Sequence, residues 1–185
     1  SVQRGESPMD AMLQSARDVI EREVQISSDK VLLEGSLSLP KNPPGIVLFA
    51  HGSGSSRHSP RNRLVAQALQ SRGVATLLFD LLTHDEESID HRTAELRFDI
   101  NLLAKRLVGA TRWVLSHPET EALKVGYFGA STGAAAALVA AAQPRETVSV
   151  VVSRGGRPDL AGPALGLVRA PTLLIVGGRD EIVID

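Results

Sequence analysis

YFGASTGAAAALVAAA, residues 127–142, joins a short apolar run to an alanine-rich run through a serine. The apolar run is typical of a buried strand, and the alanines favour a helix. Ser131 stands at the junction, between Gly129 and Gly133 in a GxSxG pattern. Two roles are open to it: serine is a preferred N-cap residue, and a sharp strand-to-helix turn also raises a nucleophilic hydroxyl above a sheet.

The same strand pattern recurs on both sides of this junction. Continuous apolar runs rich in β-branched residues predict parallel strands buried on both faces. These runs are GIVLFAHG (45–52), GVATLLFD (73–80), LKVGYFGAS (123–131), VSVVVSRGG (148–156) and PTLLIVGG (171–178). Helical patterns lie between them, at 61–73, 93–117, 131–143 and, weakly, 158–168. The alternation predicts a three-layer α/β/α sandwich around a mostly parallel sheet.

The chain before these runs has a different pattern. EVQIS (23–27) and VLLEGSLSLP (31–40) alternate apolar and polar residues around Ser28 and Asp29, which predicts an antiparallel hairpin. We assign residues 1–20 to a polar N-terminal segment outside the fold, and residues 21–185 to a single domain.

Composition excludes several classes of protein. A net charge of −1 with scattered basic residues creates no field that would attract nucleic acid or an anionic membrane. The absence of cysteine removes disulfides, thiolate nucleophiles and cysteine metal sites, and it is compatible with the cytoplasmic location that we expect. No metal-ligand spacing is present, since the acids and histidines of His84 to His91 would not align on one helix face. We therefore expect no cofactor, and a small molecule as the partner.

The first buried strand ends in His51-Gly52-Ser53-Gly54, a turn that can direct backbone N–H groups at the sheet edge. Acyl transfer needs two donors for its oxyanion, one from such a loop and one from the residue after the nucleophile. The prediction is the N–H groups of Ser53 and Thr132. A dinucleotide fingerprint fails here, because the third glycine position holds Arg57.

The acid of a triad would follow a later strand, and Asp180 lies just past PTLLIVGG. Asp180 either orients a catalytic imidazole or forms a turn after Gly-Gly-Arg. Asp80 and His84 after the second buried strand, and Arg154 after the fourth, are expected to rim the substrate crevice. Arg154 either binds a substrate carboxylate or belongs to an arginine–aspartate pair in the SRGGRPD turn. The acidic stretch from His84 to Asp90 is expected to be a solvated loop.

Five blocks in this order resemble the dienelactone hydrolase-like group of α/β-hydrolases, from about Glu23 to the end. They are AHGSGSSRHSPRN, LLFDLLTHDEE, VGYFGASTGAAAALVAAA, SRGGRPDLA and APTLLIVGGRD. The resemblance implies Ser131 as the nucleophile, where dienelactone hydrolases use cysteine, and Asp180 as the acid. It also implies a further helix, an eighth strand and a loop with the catalytic histidine.

All five histidines precede Ser131, and none is well placed as the base. We therefore expect this sequence to be part of a longer protein. The function predicted is a serine hydrolase of a small carboxylic ester or lactone. The alternative is a non-catalytic scaffold that pairs, as a homo-oligomer or with a partner, through the exposed edge of the PTLLIVGG strand.

Overall fold

The computed structural model describes residues 19–143 and 148–180. The strands are β1 (Ile20–Ser28), β2 (Val31–Leu39), β3 (Gly45–Ala50), β4 (Ala75–Phe79), β5 (Lys124–Ala130), β6 (Val150–Arg154) and β7 (Thr172–Ile175). The helices are α1 (Pro60–Gln70), α2 (His84–Thr93), α3 (Ile100–Ser116) and α4 (Thr132–Ala141), with 3-10 helices at Leu96–Phe98 and Pro158–Leu167.

These strands form one sheet in the order β1-β2-β4-β3-β5-β6-β7. β1 pairs antiparallel with β2, and β2 pairs antiparallel with β4, whereas the pairs from β4 to β7 are parallel. The predicted fold class, an α/β sandwich with an N-terminal hairpin on a mostly parallel sheet, is confirmed. The proposed N-terminal segment lies outside the described residues except for its last two.

Helices cover both faces of the sheet. On one face α3 and α4 pack against a core that includes Tyr127, whose hydroxyl lies 2.7 Å from Thr111 Oγ1. On the other face α1 covers Phe49 and Phe128, whose ring centroids are 5.0 Å apart. Successive side chains of β5 enter the cores on opposite faces of the sheet, so the sequence of this strand is continuously apolar.

The stretch expected to be a solvated loop is the helix α2. Thr83 and Glu86 form a capping box at its start, with Thr83 Oγ1 accepting from Glu86 N and Glu86 accepting from Thr83 N. The helix predicted over 93–117 is also shorter than expected, because Ala94 is left-handed with φ 56° and α3 begins only at Ile100. The weak helix at 158–168 is a 3-10 helix broken at Gly162.

β7 lies at the end of the sheet and is poorly covered. Leu173 and Leu174 are each 55% exposed, and Ile175 is 45% exposed. In the described part of the chain, no helix has the length and apolar character that crossing a membrane would require.

Candidate active site

Ser131 lies at a strained turn between β5 and α4. Its φ of 52° and ψ of −124° fall in a region that side chains other than glycine rarely adopt. It occupies the N-cap position of α4, yet its hydroxyl makes no capping hydrogen bond. By contrast, Ser59 caps α1 by accepting from Asn62 N, and Asp99 caps α3 by accepting from Leu102 N. The capping role, one of the two open for Ser131, is therefore absent.

Both flanking glycines are required by close packing. A Cβ on Gly133 would lie 2.7 Å from the carbonyl carbon of Ala50 and closer still to two carbonyl oxygens. A Cβ on Gly129 would lie 2.7 Å from the nitrogen of Ala134. The backbone of α4 therefore touches the ends of β3 and β5. This contact holds Ser131 at the carboxyl edge of the sheet.

The loop after β3 lies directly against the serine. A Cβ on Gly52 would be 3.2 Å from Ser131 Cβ, and Ser55 N donates to Gly52 O at 3.2 Å to close a turn around Ser53. Thr132, at the first position of α4, faces the same space as Ser53, since both residues line one cavity. N–H groups in the first turn of a helix have no partner within the helix.

The ring of His51 holds this loop in place. Its Nε2 accepts from Leu81 N at 3.1 Å, so Nδ1 carries the proton and donates to Gly52 O at 2.9 Å. Burial lowers the pKa of His51 below its ordinary value of 6.5, outweighing the hydrogen bond to Gly52. A neutral imidazole with both nitrogens occupied has a structural role and is not free to act as a base.

A cavity of about 350 Å³ opens beside the loop. Its lining residues include the apolar Leu81 and Leu103 and the polar His58 and His91. The cavity therefore offers both apolar surface and hydrogen-bonding groups to a small ligand.

Asp90 and Arg97 complete this wall as a hydrogen-bonded ion pair, with Arg97 Nε 2.7 Å from Asp90 Oδ2. Burial alone would raise the pKa of Asp90, but bonds from Arg97 and from Leu96 N lower it. The sequence reasoning missed this pair, because α2 was taken for a loop. The T-x-x-E spacing of Thr83 and Glu86 could have identified the helix.

The expected substrate residues Asp80 and His84 come together in an adjoining cavity that shares His58 with the first. Asp80 accepts from Arg57 N at 2.7 Å and also pairs with the Arg57 guanidinium. Its carboxylate therefore anchors the segment that follows the turn around Ser53.

Arg154 lines neither of these two cavities. Its Nη2 donates to Asn62 Oδ1 at 3.2 Å, and its guanidinium lies 5.9 Å from the centre of the Phe128 ring. The arginine–aspartate pair of the SRGGRPD turn is instead Arg157 with Asp159.

Asp180 follows β7 at the same edge of the sheet as Ser131. Ala130 is in register with Arg154, which is in register with Ile175, so the ends of β5, β6 and β7 lie side by side. Asp180 is partly buried, and its N–H donates to Gly177 O at 2.9 Å. This turn satisfies the backbone N–H of Asp180.

Known proteins share this fold. Residues 33–185 match the model of the dienelactone hydrolase family. A crystal structure of dienelactone hydrolase from Anabaena variabilis is 65% identical, with a TM-score of 0.88 over 90% of this chain and 77% of that chain. A dienelactone hydrolase-like promiscuous phosphotriesterase from metagenomic libraries has the same fold at 21% identity, with a TM-score of 0.69 over 88% and 70% of the two chains.

A further relative is much longer than this chain. A Mycobacterium tuberculosis protein named "Putative phosphoribosyl transferase" is 61% identical over 165 residues. These residues are 89% of this chain but only 36% of that protein.

Proposed function

Because the chain belongs to the dienelactone hydrolase family, we propose that it is a serine hydrolase that cleaves a small carboxylic ester or lactone. The observation that carries the proposal is the backbone of Ser131, held at φ 52° between glycines that have no room for a side chain. Strained backbone conformations cluster at active sites, and this strained serine makes no capping hydrogen bond that would explain its position. The cavity of about 350 Å³ is of a size for a small ester.

In the proposed reaction, Ser131 Oγ attacks the carbonyl carbon and a base takes its proton. The carbonyl oxygen becomes an oxyanion, to which the N–H groups of Ser53 and Thr132 donate. Collapse of this intermediate breaks the bond to the alcohol oxygen, which takes the proton from the base. Water then cleaves the acyl-enzyme in the same way and regenerates Ser131. Asp180 orients the imidazole of a histidine outside residues 1–185, as the resemblance implies.

Substrate contacts are proposed at three further residues. Arg154 binds a carboxylate of the substrate, since it ends β6 in register with Ala130, the residue before Ser131. His84 and Asp80 act from the adjoining cavity, where Asp80 positions Arg57. We also propose a cytoplasmic location, for which the absence of cysteine is the support.

The transferase name of the mycobacterial relative does not change this proposal. This chain matches 36% of that protein, and this chain has the fold of the dienelactone hydrolase from Anabaena variabilis. We propose that the transferase name refers to the remainder of that longer polypeptide, and that the part similar to this chain contributes a hydrolase.

The test is labelling of the full-length protein with a fluorophosphonate, together with hydrolysis of a short aryl ester. We expect stoichiometric labelling that is lost in Ser131→Ala and kept in Ser116→Ala, a matched control that removes an exposed serine hydroxyl bonded to Trp113 O in the last turn of α3. Absence of labelling in the full-length wild-type protein would refute the proposed function.

A second candidate function rests on β7, whose leucines are more than half exposed at the end of the sheet. Edge strands pair readily with other chains, so the fold would serve as a scaffold in a homo-oligomer or a complex. Sedimentation velocity of the full-length protein tests this. A dimer that dissociates on Leu173→Lys supports pairing, and a monomer at all concentrations contradicts a homo-oligomer.

A further inference from the structure

The hydroxyl of Thr132 is buried and has no hydrogen-bond partner among the residues that the structure describes. The residue is 3% exposed, and Oγ1 bonds to none of the described residues. Buried threonines elsewhere are satisfied: Thr76 accepts from Gln70 Nε2 at 2.7 Å, and Thr120 donates to Val114 O at 2.6 Å. An unsatisfied buried hydroxyl costs roughly 1–3 kcal/mol, so a partner that arrives later would remove an existing penalty.

The backbone of Thr132 has little freedom to move and relieve this penalty. The next residue, Gly133, is pressed against the carbonyls of Ala50 and His51, and Ala134 N donates to Ser131 O at 3.1 Å. Thr132 is therefore held on the wall of the cavity that Ser53 also lines. Only its side chain can turn, and threonine in a helix has two accessible χ1 rotamers.

The two polar atoms of Thr132 can serve the same acceptor. Three bonds separate N from Oγ1, so a gauche rotamer places them about 3 Å apart. An oxygen that accepts from Thr132 N–H at about 2.9 Å then lies within reach of Oγ1 as well. The acceptor that the proposed function supplies at this position is the oxyanion.

We infer that Thr132 Oγ1 is a third donor to the oxyanion, in addition to the backbone N–H groups of Ser53 and Thr132. The inference rests on the proposed function and extends it. In the free protein the hydroxyl is buried and unpaired within residues 19–143 and 148–180, and it finds its acceptor when charge develops on the substrate oxygen. The hydrogen bond therefore belongs mainly to the transition state, where it raises kcat rather than lowering KM.

The test compares Thr132→Val, which removes the hydroxyl at nearly constant shape, with Thr132→Ser, which retains it. Both variants keep the backbone N–H. In the full-length protein we expect Thr132→Val to lower kcat by about 10- to 100-fold with little change in KM. Thr132→Ser should retain kcat within about 3-fold. The rate of fluorophosphonate labelling of Ser131 should fall in parallel with kcat.

Stability separates this role from a structural one. Thr132→Val should unfold at a denaturant concentration no lower than wild type, because it removes an unsatisfied group. The matched control Thr76→Val breaks the bond to Gln70, so it should lose stability and keep kcat.

Wild-type kcat in Thr132→Val, or an equal loss of kcat in Thr132→Ser, would overturn the inference. A loss of stability in Thr132→Val that matches that of Thr76→Val would also overturn it. If wild-type protein is not labelled at Ser131, the proposed function fails, and this inference fails with it.

Discussion

Replacement of Gly133 by alanine tests whether close backbone packing holds the turn around Ser131. The new Cβ would lie 2.7 Å from the carbonyl carbon of Ala50, whereas carbon atoms prefer about 3.5–4.0 Å. The neighbouring atoms are backbone, so relief requires α4 to move away from β3 by about 1 Å. Overpacking of this kind costs about 1–3 kcal/mol. A 1 Å displacement of reacting groups lowers activity by about 100-fold.

Urea denaturation followed by the fluorescence of Trp113 measures the first effect, and labelling of Ser131 measures the second. In a thermal denaturation experiment, each kcal/mol of lost unfolding free energy should lower the melting temperature of a chain of this length by roughly 2–4 °C. Gly166→Ala is the matched control, because no atom of the described residues lies within 4 Å of a Cβ at that position. The reasoning would be refuted if the free energies of unfolding of Gly133→Ala and Gly166→Ala differed by less than about 0.5 kcal/mol and Ser131 were labelled equally fast in both variants.

Two further predictions concern pH and backbone strain. Folding lowers the pKa of His51 below 6.5. The unfolded chain therefore binds more protons than the folded chain in acid. Because of this difference, the free energy of unfolding should fall as pH drops below about 6.5. His51→Gln should remove this part of the pH dependence in denaturation curves between about pH 5 and pH 8, and superimposable pH profiles would contradict the assignment. Glycine tolerates the φ of 52° at position 131, so Ser131→Gly should be more stable than Ser131→Ala by about 1 kcal/mol. Equal melting temperatures of the two variants would show that the turn is not strained.

The parts of the fold that sequence predicted well are those in which pattern and burial coincide. The buried strands and the hairpin were recognisable because each places apolar residues at the period of its own geometry. The stretch from His84 to Thr93 was not recognisable as a helix, because α2 buries only Asp90 and carries no apolar face. Its polar capping box was present in the sequence, but the absence of an apolar face obscured the helix.

The break before α3 has a tertiary origin. Asp90 accepts hydrogen bonds from Leu96 N and Arg97 N, and these bonds favour a 3-10 turn where the pattern alone predicted a continuous helix. A carboxylate that bonds to residues six and seven positions later is not visible as a periodicity. The wall of the cavity that this turn builds was therefore not predicted.

The sequence by itself determined the α/β class, the position of Ser131 at a strand-to-helix junction and the loop that faces it, because these follow from local pattern. Only the tertiary structure decided whether Ser131 caps a helix, since that depends on a φ of 52° imposed by the contact of Gly133 with Ala50. Only the tertiary structure revealed that the Thr132 hydroxyl lacks a partner in the described part of the chain, because a missing hydrogen bond depends on everything packed around it.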